Sequence, residues 1–141
     1  MDRLDVIDAC TRLVWYADQR EWDLLRGVFA PRVRLDYTSL NGGEPVTLTP
    51  DQIVDGWQEV LGGYEATQHL LANHLVAIDG DTAVCTAAFQ ATHRGRGAFG
   101  GSLWTLGGTY RFELARFDTG WLITGVTMTA TWGDGNRGLL P

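Results

Sequence analysis

Cysteine, histidine and proline are all scarce in this chain: two, three and four of them among 141 residues. The two cysteines, Cys10 and Cys85, form no C-x-x-C pair, and each falls in an apolar pattern, Cys10 helical and Cys85 alternating. They read as small buried hydrophobes, not as a disulfide framework or a thiolate metal site. An excess of basic charge is also missing. The formal net charge is -6, which argues against a nucleic-acid backbone or an anionic membrane as main partner and leaves a small neutral molecule open. No apolar run is long enough to span a bilayer, and the opening Met-Asp-Arg-Leu-Asp lacks the basic-then-apolar layout of a signal peptide. A soluble, reducing, cytoplasmic setting is expected. There is no internal repeat and no linker, so residues 1–141 read as one domain, long enough to bury a core without staples.

Common catalytic signatures are missing as well. No serine or cysteine nucleophile motif appears. The stretch Arg94-Gly95-Arg96-Gly97-Ala98-Phe99-Gly100-Gly101 lacks the strand–loop–helix context and the Lys-Ser/Thr ending of a phosphate loop, and reads as a hairpin loop near a pocket mouth. Two histidines and a carboxylate could in principle make a facial metal triad. They share no short local spacing such as H-E-x-x-H, so no metal and no cofactor are expected.

What is present begins with helices. Leu4, Ile7, Thr11, Val14 and Asp18 recur at steps of three and four, predicting a helix over 3–20 with one mostly apolar face that ends on Asp18. A second short helix is predicted over 21–29, with Trp22, Leu25 and Phe29 inward and Pro31 stopping it. Val33, Leu35 and Tyr37 alternate with Arg32, Arg34 and Asp36, as in a half-buried strand over 32–38. Asn41-Gly42-Gly43 breaks it. Thr49-Pro50-Asp51 opens a further helix to about Leu61, closed by Gly62-Gly63. Strands follow at 67–78, 82–94, 103–116 and 121–132, with tight turns at Asp79-Gly80-Asp81 and Asp118-Thr119-Gly120 and a loose tail after Trp132. Helices first and then long antiparallel strands read as α+β. A curved mixed or antiparallel sheet wrapped over the N-terminal helices would form a cone with an interior pocket, a usual ligand site.

Parity sorts the strand side chains. In 82–94 the odd face carries Ala83, Cys85, Ala87, Phe89, Ala91 and His93. In 103–116 the even face carries Trp104, Leu106, Gly108, Tyr110, Phe112 and Leu114. In the last strand the even face carries Leu122, Val126, Met128, Ala130 and Trp132. In 67–78 both faces are apolar enough to be covered, so His69 and His74 lie on opposite faces and parity leaves the pocket face open. Asn73 shares the parity of His69. The expected pocket is aromatic and aliphatic, walled by Phe89, Trp104, Tyr110, Met128 and Trp132. Asp18, Tyr37, His69 and His93 are the polar residues aimed at it. Each taken alone has an ordinary structural reading; a carboxylate, a phenol and two imidazoles converging on one apolar interior are the parts of an acid–base site.

Several stretches carry a resemblance: Ala17-Asp18-Gln19-Arg20-Glu21-Trp22-Asp23-Leu24-Leu25, Phe29-Ala30-Pro31, Arg34-Leu35-Asp36-Tyr37-Thr38-Ser39, Thr67-Gln68-His69, Ala91-Thr92-His93 and Ala130-Thr131-Trp132-Gly133. On these the chain resembles the NTF2-like, or SnoaL-like, superfamily and within it the scytalone dehydratase-like group. The resemblance implies the cone fold over nearly the whole chain. It implies that Asp18 pairs with His93, that His69 is a second active-site histidine, and that Tyr37 is one of two tyrosines holding a water on a substrate carbonyl. Departures are visible: Ala17 stands at the second tyrosine position, and Gly108 and Tyr110 replace a polar pair on the fourth strand. The expected activity is a cofactor-free lyase (dehydratase) or isomerase acting next to a carbonyl on a hydrophobic, polyketide-derived or cyclic ketone. The alternatives are an aldol-type polyketide cyclase and a non-catalytic ligand-binding module. A homodimer or homotrimer is the expected assembly.

Overall fold

The first helix meets the sheet through small side chains. In the computed structural model, which describes residues 1–96 and 101–139, helix α1 (Asp2–Gln19) buries Val6, Ala9, Cys10, Leu13, Val14 and Ala17. This differs from the expected stripe: Leu4 and Thr11 are exposed and Asp18 stands on the flank. Two stripes with helical spacing compete here, and the one rich in alanine and cysteine allows the closer approach. Helix α1 ends at Arg20, whose backbone is left-handed with φ 59°. The Arg20 guanidinium reaches across to the backbone carbonyls of Leu61 and Tyr64, tying the ends of two helices together.

Helix α2 (Trp22–Arg26) is shorter than expected, and Phe29 opens strand β1 (Phe29–Asp36) instead of ending the helix. Pro31 therefore lies inside a strand, between Phe29 and Arg34, where the register with its neighbour shifts and the missing N–H does no harm. Helix α3 (Thr38–Asn41) and strand β2 (Val46–Leu48) were not predicted. Helix α4 (Pro50–Leu61) opens as expected, with a reciprocal capping box between Thr49 and Gln52 and Pro50 in its first turn. The long strands are β3 (Ala66–Asp79), β4 (Thr82–Arg94), β5 (Leu103–Phe117) and β6 (Gly120–Gly135), followed by a short 3-10 turn at Arg137–Leu139. The loose tail expected after Trp132 is thus strand and turn as far as Leu139. The glycine-rich loop expected over 95–101 falls largely outside the described residues.

The six strands form one sheet in the order β2-β1-β6-β5-β4-β3, with β1 parallel to β6 and every other pair antiparallel. The α+β class and the mixed sheet stand. The expected curved cone does not: the sheet is open, with β2 and β3 as two edges that never meet. Strand β2 has three residues and pairs only with β1, so it cannot carry the ladder round to the 14-residue β3. Helices α1 and α4 cover one face, and the core between them includes Leu25, Val33, Ile53, Val54, Phe112 and Ile123. Among the described residues no helix is long and apolar enough to cross a membrane.

Three bulges decide which side chains point inward. On β3, Asn73 and His74 lie between the pairs Ala72–Ala88 and Leu75–Thr86, two residues against one, with Asn73 at φ 58°. On β6, Thr124 and Thr131 are the extra residues. Each bulge reverses the alternation beyond it. Hence Trp121 and Ile123 are buried before Thr124, and Val126 and Met128 after it, so the even face predicted for the whole strand holds only in its middle.

Candidate acid–base site

Helix α1 carries Asp18 over β3, and there the carboxylate is fully engaged. Its Oδ1 accepts from the Thr67 hydroxyl at 2.9 Å and from His69 Nδ1 at 2.7 Å, and its Oδ2 accepts from the His69 backbone N–H at 2.6 Å. Thr67 and His69 are two apart on one strand face, so one carboxylate spans both. The two side chains are about nine-tenths shielded, at 10% exposure for Asp18 and 12% for His69. A carboxylate can only accept, so Nδ1 carries the hydrogen and Nε2 is left as the basic nitrogen, with no protein partner among the described residues.

The expected pairing of Asp18 with His93 is therefore corrected. His93 lies on β4, cross-strand from Thr67, and its Nδ1 donates instead to the Trp104 carbonyl at 3.1 Å. Its ring stacks on the Trp104 indole, centroids 4.5 Å apart at 25°, and the His69 ring stands edge-on to it at 6.1 Å. Burial holds the His93 imidazole below its ordinary value; the Trp104 carbonyl works the other way, and His69 pushes it down further. His93 is thus neutral near pH 7, with its Nε2 lone pair available.

Facing these imidazoles is a pair of phenols. Tyr37, at the start of α3, and Tyr110, on β5, line the same interior space. Burial raises both, Tyr37 well above the ordinary phenol value and Tyr110 to about 12, so both are O–H donors. The missing tyrosine at Ala17 is matched by one from a different wall.

These groups border a cavity of about 390 Å³, apolar over most of its surface, to which Phe89, Ala91, Trp104 and Met128 contribute. Of the expected lining residues, Phe89, Trp104, Tyr110 and Met128 are there, with Tyr37, His69 and His93. Asp18 reaches the site through His69. Asn73 does not line the cavity; it is exposed in the β3 bulge. Nor does Trp132, which is 46% exposed because the bulge at Thr131 turns it outward, its ring occupying the space where a side chain on Gly107 would be. His74 is turned by the β3 bulge off the face that parity gave it, and its Nε2 is buried without a partner.

Pattern reading missed Trp57, Leu61, Tyr64 and Arg137, all of which line the cavity. Trp57 and Leu61 follow Ile53 at steps of four along α4, a signal present in the sequence. Tyr64, between Gly63 and β3, and Arg137, in the last turn, belong to no periodic pattern. Among the described residues no three of His, Cys, Asp and Glu gather closely enough to hold a metal ion.

Residues 1–127 match the SnoaL-like domain family. An uncharacterized protein of Mycobacterium tuberculosis, Rv2910c, is 34% identical over 82 residues, 58% of this chain and 54% of that protein. The chain thus spans about half the length of the curated relatives it matches. Among solved structures, the Kfla4162 protein of Kribbella flavida superposes with a TM-score of 0.91 at 29% identity, covering 94% of this chain and 93% of that one. A "putative aromatic ring hydroxylase" of Novosphingobium aromaticivorans gives 0.84 at 26% identity, covering 97% and 94%. At the level of fold alone, a "putative scytalone dehydratase" from the same organism gives 0.77 at 15% identity, covering 96% and 87%. The match over residues 1–127, together with these superpositions, makes the chain a member of the SnoaL-like domain family, with the NTF2-like fold.

Proposed function

We propose that this protein is an acid–base lyase or isomerase that removes a proton from the carbon next to a carbonyl, on an apolar cyclic or aromatic ketone. The observation that carries this reading is the Asp18–His69 pair at the cavity wall, Oδ1 to Nδ1 at 2.7 Å. Asp18 fixes the ring's tautomer and stabilises the imidazolium that forms, and His69 Nε2 is the base. As the proton leaves carbon, charge builds on the carbonyl oxygen, where a phenol of the Tyr37–Tyr110 pair donates to it. In a dehydration the His69 imidazolium then returns its proton to the departing β-hydroxyl, which leaves as water, and the enolate electrons close the new double bond. In an isomerisation the same proton returns to a different carbon. His93, neutral and with its N–H committed to Trp104, accepts from the substrate hydroxyl and positions it. The fold shared with a "putative scytalone dehydratase" supports trying dehydration first.

The test uses a β-hydroxy derivative of tetralone and a β,γ-unsaturated cyclic ketone, followed by absorbance of the conjugated product. Turnover of the first identifies a dehydratase and of the second an isomerase. Asp18→Asn and His69→Gln should each reduce the active reaction by roughly 10²–10⁴-fold, the span of general acid–base catalysis. Unchanged turnover in both variants would refute the assignment. Tight binding of both ketones without turnover would favour a ligand-binding module.

A further inference from the structure

The rim of the cavity is charged. Besides the histidines, Glu44 and Arg137 are the ionisable groups of opposite sign that line it, and both are exposed. Five other arginines are tied to carboxylates: Arg26 to Asp23, Asp51 and Asp55, Arg94 and Arg96 to Glu65, Arg111 to Glu113, and Arg116 to Asp2 and Asp81; the remaining five, Arg3, Arg12, Arg20, Arg32 and Arg34, do not line the cavity. Arg137 forms no such pair among the described residues, with Glu44 or any other carboxylate. It is placed by neutral contacts. Its Nη2 donates to the Leu40 carbonyl at 3.1 Å, and its guanidinium carbon lies 5.9 Å from the centre of the Trp104 ring, the indole that stacks on His93. One of five N–H donors is thereby used, and the other four have no acceptor among the described residues. A guanidinium held in a fixed orientation, at the edge of an apolar chamber and without a carboxylate partner among the described residues, is suited to bind a carboxylate through two parallel hydrogen bonds. The protein's net charge of -6 repels anions at long range, so a local cation is what would admit one.

We infer that Arg137 is the specificity-determining residue of this cavity, and that its ligand is an anion-bearing apolar molecule. A cyclic or aromatic skeleton seats against Phe89, Tyr110 and Met128, and a carboxylate at the rim meets Arg137. This rests on the reading of the cavity as the substrate site, and narrows the substrate class from apolar ketones to apolar keto acids.

Binding of naphthoate and of its neutral isostere naphthamide, measured by calorimetry on the full chain, tests it without turnover. A solvent-exposed ion pair contributes up to about fivefold in affinity, and a bidentate one partly withdrawn from water contributes more. Wild type should therefore favour naphthoate about five- to twentyfold. Arg137→Gln should abolish that preference while leaving naphthamide affinity within about twofold, and Arg137→Lys should keep part of it because the charge remains and the fork is lost. Glu44→Gln, which removes the opposing rim charge, should tighten naphthoate alone. Equal affinity for the two probes in wild type would overturn the role of Arg137 while leaving the cavity reading intact. An equal loss for both probes in Arg137→Gln would also overturn it, since Arg137 would then act only by holding the last turn against α3. If neither probe binds wild type, the cavity reading itself fails and the inference falls with it.

Discussion

Asp18 accepts three hydrogen bonds from two residues of one strand, and this is why it serves His69 and not His93. Its oxygens are satisfied by Thr67 and by the backbone and ring of His69, all within reach of the helix end above β3. An asparagine there would bring an NH2 group among donors, and at least one would face another donor; hence the loss expected for Asp18→Asn. His93 has a different task and leaves a different signature. Its imidazole is held below its ordinary value of 6.5 by burial, so the folded protein binds that proton less readily than the unfolded chain. Stability then rises with pH between the folded value and 6.5, is fully present above it, and is lost as the pH falls. Urea midpoints measured from about pH 7 down to about pH 5 should therefore drop less steeply in His93→Gln than in wild type. Equal slopes would contradict the burial of a neutral His93. Apolar spacing pointed Asp18, Tyr37 and His93 toward the interior, whereas parity left the face of His69 open and the family resemblance supplied it. Which imidazole receives the carboxylate was not legible, because Thr67, His69 and His93 lie close together on adjacent strands and spacing along one chain does not resolve sub-turn offsets of a helix above them.

Among the elements, β4 and β5 behave as simple alternation requires: Ala83, Cys85, Ala87, Phe89, Ala91 and His93 are all buried, as are Trp104, Leu106, Tyr110, Phe112 and Leu114. Strands β3 and β6 depart from it at bulges. One inserted residue flips every side chain beyond it, which carries Asn73 and Trp132 out of the expected lining and puts Trp121 into the core. No sequence pattern marks Thr124 or Thr131 as extra residues. Asn73 does carry a local reason, since asparagine tolerates the left-handed backbone that most residues avoid. Replacing it by valine should destabilise the protein by about 1–2 kcal/mol, whereas Asn73→Gly should be close to neutral. If the two variants have the same chemical-denaturation midpoint, the bulge is not held at that residue. Short elements such as α3 and β2 were invisible because four- and three-residue segments carry no period.

On the scale of the molecule, the long strands, the helix over Pro50–Leu61 and the α+β class were legible because each rests on many periodic residues. The closure of the sheet was not. An open edge at β2 and another at β3 depend on how far the short strand extends and where the helices sit, which local patterns do not encode. The consequence for function is that the cavity is bounded by one sheet face together with α1, α3, α4 and the last turn. The proposed chemistry draws on groups that approach from separate elements: Asp18 from α1, His69 from β3, His93 from β4, Tyr110 from β5 and Tyr37 from the junction of β1 and α3.

Solvent deuterium exchange at the carbon next to the carbonyl of tetralone, followed by proton NMR, reads that abstraction directly and needs no leaving group. Wild type should catalyse the exchange, and Asp18→Asn and His69→Gln should slow it by roughly 10²-fold or more while remaining folded. Exchange at the wild-type rate in both variants, or none in the wild type, would contradict the assignment of Asp18 and His69 as the proton-abstracting pair.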